Sequence, residues 1–297
     1  MKYPTVKQLR YFAALVEAGH FGRAAEACHV SQSAFSTAIR ELENLLDTQL
    51  VDRTNRQVTI TTVGREVDVQ ARLVLRDLES LVEIAGERRE PLTGDLRLGV
   101  IPTIAPFLLP GVLPALRKVY PDLTLYLHEG QTQDIHEKLL EGELDVLLLA
   151  LPYDLRSVET MDLFLDRFYL AYREGTDRVD PSNYRFSRLD ADSVLLLEDG
   201  HCLRDHALAA CRLRDSGKIR RFAASSLLTL VEMVDADLGI TFLPEMAKDS
   251  LMLRNTHVRM HKLDAKSYRT IGLAWRKGSG RAEEFRLLGD FVRKRAA

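Results

Sequence analysis

Arg23-Ala24-Ala25-Glu26-Ala27-Cys28-His29-Val30-Ser31-Gln32-Ser33-Ala34-Phe35-Ser36 carries small apolar residues at Ala24, Ala25 and Cys28, breaks at His29-Val30-Ser31, and takes up a new apolar stripe at Phe35. A break this short between two helical patterns makes the helices cross rather than run on. Before it, Leu9, Phe12, Ala13 and Val16 recur at helical spacing between Val6 and Ala18. After it, a helix is predicted from Gln32 to Leu46, with Phe35, Ala38, Ile39, Leu42 and Leu46 on one face and Gln32, Ser33, Ser36, Thr37 and Arg40 on the other.

This is a helix-turn-helix whose polar face suits a major groove, since Gln can pair with adenine, Arg with guanine, and Ser or Thr with bases or phosphates. The competing reading is a three-helix bundle with a merely solvated polar face. Leu50 to Ile60 reads as a hairpin with Asn55-Arg56 at its tip, so that Arg53 and Arg56 would meet phosphates or enter the minor groove. Up to Arg65 there are eight Lys or Arg against six Asp or Glu, only a slight basic surplus.

The order and spacing from Arg23 to Ser36, then Ile39-Arg40-Glu41-Leu42-Glu43 and the Arg53 wing, resemble the DNA-binding head of LysR-type transcriptional regulators. The pattern departs from that family at Ser33, where proline is common, and at Val51, where phenylalanine is common. The resemblance implies double-stranded DNA as a partner, with Gln32, Ser33, Ser36, Thr37, Arg40, Arg53 and Arg56 as the contacting residues.

From Thr61 to Glu87 the pattern becomes one long helix. Val67, Ala71, Val74, Leu78, Leu81 and Ala85 form an a/d seam, hence a dimerising coiled coil. At ~1.5 Å per residue it is roughly 40 Å long, enough to hold two heads over successive major grooves ~34 Å apart. Val69, Leu73 and Leu75 widen the apolar face, so packing on its own domain is the alternative. Gly86 to Gly94, with Pro91, ends the helix and reads as a hinge.

At 297 residues, 46% hydrophobic and 28% charged, the chain has the composition of a soluble protein large enough for two domains. It lacks both an apolar run of the ~18 residues that span a bilayer and a hydrophobic secretory core after Met1, so the expectation is a cytoplasmic protein without a membrane partner. Three cysteines do not make a secreted disulfide framework. The net charge of −2 requires any nucleic-acid contact to come from a local surface.

Beyond Pro91 strands and helices alternate: Asp95 to Ile101, a helix through Phe107 and Leu116, Leu123 to His128, a helix to Glu141, then Asp145 to Leu151, apolar as a doubly covered parallel strand should be. Ligands in such folds bind beyond the carboxyl ends of strands. Thr103 and Thr132 occupy such ends, where helix N-capping is their other role. The chain crosses to a second lobe near Phe164 to Tyr172 and returns near Ser267 to Arg276, which resembles the two-lobed effector domain of the same family, itself similar to periplasmic binding proteins. The expected fold class is therefore α/β: a winged helix-turn-helix over 1–61, a linker helix and hinge over 62–90, and a regulatory domain over 91–297. Within the last, lobe I covers about 91–164 and 268–297, and lobe II about 165–267.

In lobe II, Glu198-Asp199-Gly200-His201-Cys202-Leu203-Arg204-Asp205-His206 leads to Cys211, with Arg212 and Arg214 beyond. Cationic neighbours favour thiolate, the form that oxidants attack; two ordinary cysteines near a helix is the bland reading. Gly200 to Asp205 with Cys211, together with Ile101-Pro102-Thr103, His128-Glu129-Gly130-Gln131-Thr132 and Gly239-Ile240-Thr241-Phe242-Leu243-Pro244, resembles the hydrogen-peroxide-sensing members of the family. This implies that peroxide oxidises Cys202 to a sulfenic acid and that Cys211 then closes a disulfide. The implied peroxide pocket is Thr103, Thr132, His201 and Arg269. The resemblance also implies a homodimer through the linker helix, a homotetramer, contact with RNA polymerase, and no cofactor.

Full ionisation of an ordinary thiol raises reactivity at most roughly 30-fold, so selectivity for peroxide must come from donors aimed at the departing oxygen. Three other readings remain. One is a metabolite-binding regulator with incidental cysteines, and another a thiol peroxidase enzyme carrying a DNA-binding head. The third is a zinc site from Cys202, Cys211, His201 and His206, whose spacing matches no common finger. The non-enzymatic, metal-free sensor is the expectation.

Overall fold

The computed structural model describes residues 3–53, 58–85, 90–210, 218–219 and 223–296. Arg56 and the rest of the predicted hairpin tip, the first part of the predicted hinge, and Cys211 lie outside the described residues. The chain divides into two compact units, Met1–Arg89 with Glu141–Glu143, and Glu90–Leu140 with Leu144–Ala297.

In the first unit α1 (Val6–Ala18) opens on a capping box: the Gln8 N–H donates to Thr5 Oγ1 at 3.3 Å and the Thr5 N–H to Gln8 Oε1 at 2.9 Å. Gly19, at φ 59°, stops it. His20 Nδ1 accepts the Gly22 N–H at 3.0 Å and starts α2 (Phe21–Ala27). The turn pivots on His29 at φ 54°, and Ser31 Oγ accepts the Ala34 N–H at 3.3 Å to start α3 (Gln32–Leu46). Replacing this cap, Ser31→Ala, is expected to lower stability by about 1 kcal/mol, read as a lower midpoint in denaturant unfolding followed by helix signal.

The crossing of these helices buries Phe12, Leu15, Phe35, Ile39 and Leu42 completely, with Tyr11 stacked on Phe35 at 5.0 Å. A short antiparallel wing follows, β1 (Val51–Arg53) on β2 (Val58–Ile60), with Val51 opposite Ile60. Glu43 ties it to α3 by accepting the Leu50 and Val51 N–H groups at 3.0 and 3.1 Å. Helix α4 (Thr62–Ala85) then packs along α1, where Arg72 bridges Asp68 at 2.9 Å and the Ala13 carbonyl at 3.3 Å. Val67 packs on the head's own core and Ala71 is buried, whereas Val74 and Leu81 are 44% and 60% exposed. The seam is thus divided among its described residues: Val67 and Ala71 are used inside the unit, while Val74 and Leu81 face outward.

The second unit contains β3 (Gly94–Val100), α5 (Ala105–Val119), β4 (Leu123–Glu129), α6 (Thr132–Leu140), β5 (Val146–Leu151), β6 (Val158–Arg173), α7 (Cys202–Ala210), α8 (Leu227–Asp235), β7 (Thr241–Pro244), β8 (Val258–Lys262), β9 (Tyr268–Arg276) and α9 (Ala282–Ala296). Strand order is β4-β3-β5-β9-β6-β7, with β8 also on β6. Every residue of β5 is buried, as its apolar run predicts, but its neighbours differ: β3 is parallel to it and β9 antiparallel. The returning strand, not another βα repeat, fills that place.

Strand β6 makes the unit two-lobed. Its first part, Val158 to Arg167, pairs with β9, and beyond it Phe168 to Ala171 pair with β7 and Tyr169 to Arg173 with β8. One core gathers Val100, Leu148, Ile271, Trp275 and Phe285, closed by α9 through Leu288 and Val292; the other gathers Phe168, Leu170, Leu195, Val231 and Phe242. Asp237, at φ 55°, holds a left-handed position, and its carboxylate accepts the Thr176 hydroxyl at 2.7 Å. Among the described residues no helix is long and apolar enough to cross a membrane.

Candidate functional site

Gly200, at φ 97°, turns the chain into α7, and a Cβ there would lie 2.4 Å from Gln131 Oε1. The glycine therefore lets the turn close against lobe I, and Cys202 becomes the first residue of the helix. Leu203 and Ala207 pack into the core of lobe II, while Cys202, 3% exposed, packs into the core of lobe I. The thiol lies across the lobe boundary from its own helix.

Arg269 on β9 is fully buried and held at four points. Its Nε donates to Asp166 Oδ2 at 2.9 Å, Nη1 to Thr103 Oγ1 at 2.9 Å, and Nη2 to the Thr103 carbonyl at 2.9 Å and to Met246 Sδ at 3.8 Å. Asp166 Oδ1 also accepts the Met246 N–H at 3.2 Å. Burial pushes the Asp166 carboxyl above the ordinary aspartate value, opposed by the charge and hydrogen bond of Arg269 and by the Met246 N–H.

Burial likewise pushes the Cys202 thiol up, and Asp205 adds to the rise; the charge of Arg269, the Thr132 hydroxyl and the Ala150 backbone act against it. Tyr153, which packs against the core that holds Cys202, is raised by burial and then by the charges of Cys202 and Asp205. Of the cationic sequence neighbours, Arg204 and His206 are not among the groups that act on the sulfur, and Arg212 and Arg214 lie outside the described residues. The Arg204 guanidinium turns away to the Leu197 carbonyl at 3.1 Å and Asp199 at 3.0 Å. His206 Nε2 donates to the Pro152 carbonyl at 2.8 Å, and burial pushes that imidazole below its ordinary value, towards the neutral form. The rise favours the thiol form of Cys202 over the thiolate. Its alkylation by iodoacetamide, followed on the Cys202 peptide by mass spectrometry, is expected to rise about tenfold per pH unit through neutrality. A plateau below the ordinary thiol pKa would contradict the raised value.

Of the four predicted pocket residues, Thr132 and Arg269 act on the sulfur and Thr103 meets it through Arg269. Neither threonine is a helix cap: Thr103 accepts from Arg269, Ile104 holds the cap position of α5, and Thr132 is the first residue of α6, its buried hydroxyl without a well-formed hydrogen bond. His201 is buried, its Nε2 3.4 Å from Gln131 Nε2 and 3.9 Å from Glu198 Oε1. Asp166, Tyr153 and the Ala150 backbone were not legible beforehand; the one available signal was a carboxylate inside an apolar crossing strand. Among the described residues no three His, Cys, Asp or Glu side chains converge as metal ligands.

The first unit presents the second candidate surface. Gln32, Ser33, Thr37 and Arg40 are exposed along one face of α3, and Ser36 is half-buried. Thr37 Oγ1 donates to the Ser33 carbonyl at 2.9 Å and Arg40 Nε to the Ser36 carbonyl at 3.4 Å, so both have donors resting on their own helix. Arg53 ends β1.

Comparison with known proteins follows the same division. Residues 6–65 match the model of the bacterial regulatory helix-turn-helix protein, lysR family, and residues 89–297 the LysR substrate binding domain. Over 292 residues the chain is 41% identical to the HTH-type transcriptional regulator EstR of Acinetobacter baylyi, covering 98% of this chain and 97% of that protein. It is 38% identical over 290 residues to the DNA-binding transcriptional dual regulator OxyR of Escherichia coli, covering 98% and 95%. A full-length OxyR from Pseudomonas aeruginosa with cysteine replaced by aspartate superposes with a TM-score of 0.82 at 34% identity, covering 99% of this chain and 96% of that one.

Proposed function

Because the chain belongs to the LysR family of bacterial transcriptional regulators, we propose that it binds double-stranded DNA through α3 and the wing and senses hydrogen peroxide through Cys202. The observation that carries the reading is the Cys202 thiol seated in the core of one lobe while its helix belongs to the other. A change of bonding at this sulfur must alter how the lobes meet. A relative named hydrogen peroxide-inducible genes activator, 38% identical over 290 residues, supports the choice of oxidant.

In the proposed step the Cys202 sulfur attacks one peroxide oxygen, the O–O bond breaks, and the departing hydroxide takes the proton released by the thiol to leave as water. Thr103 and Thr132 orient the peroxide, and Arg269 stabilises the thiolate and the departing charge. The sulfenic acid then condenses with Cys211, forming the disulfide and a second water. Helix α7 spans Cys202 to Ala210, a rise of roughly 12 Å, whereas a disulfide needs its Cα atoms within ~7 Å. Unwinding α7 removes Cys202 from lobe I and breaks the bond between His206 and Pro152.

The protein reacts once per signal rather than turning over as an enzyme, and needs neither metal nor organic cofactor. The exposed Val74 and Leu81 of α4 serve a homodimer, and tetramer formation and contact with RNA polymerase belong to the same reading. Stoichiometric peroxide followed by thiol labelling and intact-mass analysis is the test. Loss of two labels with a decrease of two hydrogens identifies the disulfide, and unchanged labelling rejects the sensor. EstR, at 41% identity, bears a name that specifies no oxidant. A regulator answering a small metabolite is therefore the second reading, favoured by a calorimetric binding signal in protein whose thiols ignore peroxide.

A further inference from the structure

We propose that Asp166 is a positioning residue for the thiol chemistry, aiming the Arg269 guanidinium at Cys202; the chemistry it serves rests on the peroxide reading above. A guanidinium has five N–H donors in one rigid plane. Four have partners: Nε–H on Asp166, one Nη1–H on Thr103 Oγ1, and the two Nη2–H on the Thr103 carbonyl and Met246 Sδ. The fifth, also on Nη1, has no acceptor among the described residues. It is the donor available to the sulfur or to the departing oxygen, and its direction is set by the bonds that stop the plane from rotating.

Asp166 supplies the only one of those bonds made to a charge. The pair is fully desolvated, with side-chain exposures of 0% for Arg269 and 1% for Asp166, where a charged hydrogen bond is strong and directional. Asp166 is itself held, since its second oxygen accepts the Met246 N–H in the turn Glu245–Ala247 that follows β7. The carboxylate thus locks the arginine of the returning strand to a turn of lobe II. It contacts Arg269 through Nε, whereas the donors that serve the pocket are on Nη1 and Nη2.

Asp166→Asn separates aiming from simple electrostatics by sign. Removing a nearby anion would by itself favour the thiolate and move Cys202 ionisation to lower pH. Loosening Arg269 removes a stabilising cation and moves it to higher pH. The full-length protein is titrated by its ultraviolet thiolate absorbance, each variant measured against the same variant carrying Cys202→Ser, and peroxide oxidation of the Cys202 peptide is timed in parallel. We expect Asp166→Asn to shift the ionisation upward by about one pH unit, corresponding to an about tenfold lower thiolate population. Peroxide oxidation should slow at least as much, with no further change when Asp166→Asn is added to Arg269→Ala.

Asp166→Asn keeps the size of the buried side chain and one acceptor. If it fails to fold, Met246→Leu, which keeps the backbone N–H but removes the Sδ contact, is expected to shift the titration in the same direction by less. A downward or absent shift in the folded variant overturns the proposal. A shift upward in a protein whose parent ignores peroxide leaves the positioning intact and rejects the peroxide reading instead.

Discussion

Cys202→Ser is expected to abolish the peroxide response altogether: the footprint on DNA should be the same before and after peroxide, and the protein should gain no disulfide. The substitution replaces sulfur by oxygen in a site that is 3% exposed, against the Thr132 hydroxyl and the Ala150 backbone, so the resting arrangement of the lobes should persist. What is lost is the nucleophile, because a serine hydroxyl does not attack peroxide under these conditions. Cys28 cannot take over the role. It ends α2 in the first unit, beside the core formed by Phe12 and Phe35, and burial pushes its thiol up as well. The parent protein, footprinted in parallel, is expected to change its pattern of protected bases more than its affinity. A response that survives Cys202→Ser would sink the mechanism.

Arg269→Ala should produce the second large effect, on stability and chemistry together. It leaves Asp166 buried without its cation, and breaking one side of a buried ion pair costs about 3–5 kcal/mol. The lower end is the better expectation, since burial already pushes the Asp166 carboxyl towards the protonated form that it would adopt when alone. Thr103 also loses the donors to its hydroxyl and carbonyl. Denaturant unfolding of the variant, followed by the fluorescence of Trp275 in the core of lobe I, reads the first effect. In protein that remains folded, peroxide oxidation of Cys202 should slow by roughly 10²- to 10³-fold, the size associated with losing one donor to a developing anion. A variant within about 1 kcal/mol of the parent, below the range expected for a broken buried pair, would show that Arg269 and Asp166 do not depend on each other.

The exposed polar face of α3 and the core beneath it were legible because a helix spaces its side chains by a local rule, and Phe35, Ile39 and Leu42 obey it. The same holds for β5, whose unbroken apolar run requires cover on both faces whichever strands flank it. Seam residues on α4 were legible as apolar but not as to partner: Val67 packs on the core of its own unit, and Leu81 does not. Periodicity identifies a face and says nothing about what covers it.

The thiol site marks the boundary between the two kinds of information. By itself the sequence determined only that Cys202 stands near a helix amid residues that can carry charge; the glycine turn and the start of the helix at Cys202 came from the structure. The resemblance had already placed Arg269 in the pocket, but only the tertiary structure decided how that charge is held and which neighbouring charges do not count. Arg204 and His206, adjacent in the chain, spend their donors on the carbonyls of Leu197 and Pro152. The effective cation is Arg269, held by Asp166 103 residues away because β6 and β9 run antiparallel across the two lobes. Desolvation belongs to packing rather than to neighbours in sequence, so the cysteine that reads as an activated thiolate in the chain has its thiol pushed up by burial when folded, with Arg269 opposing the rise.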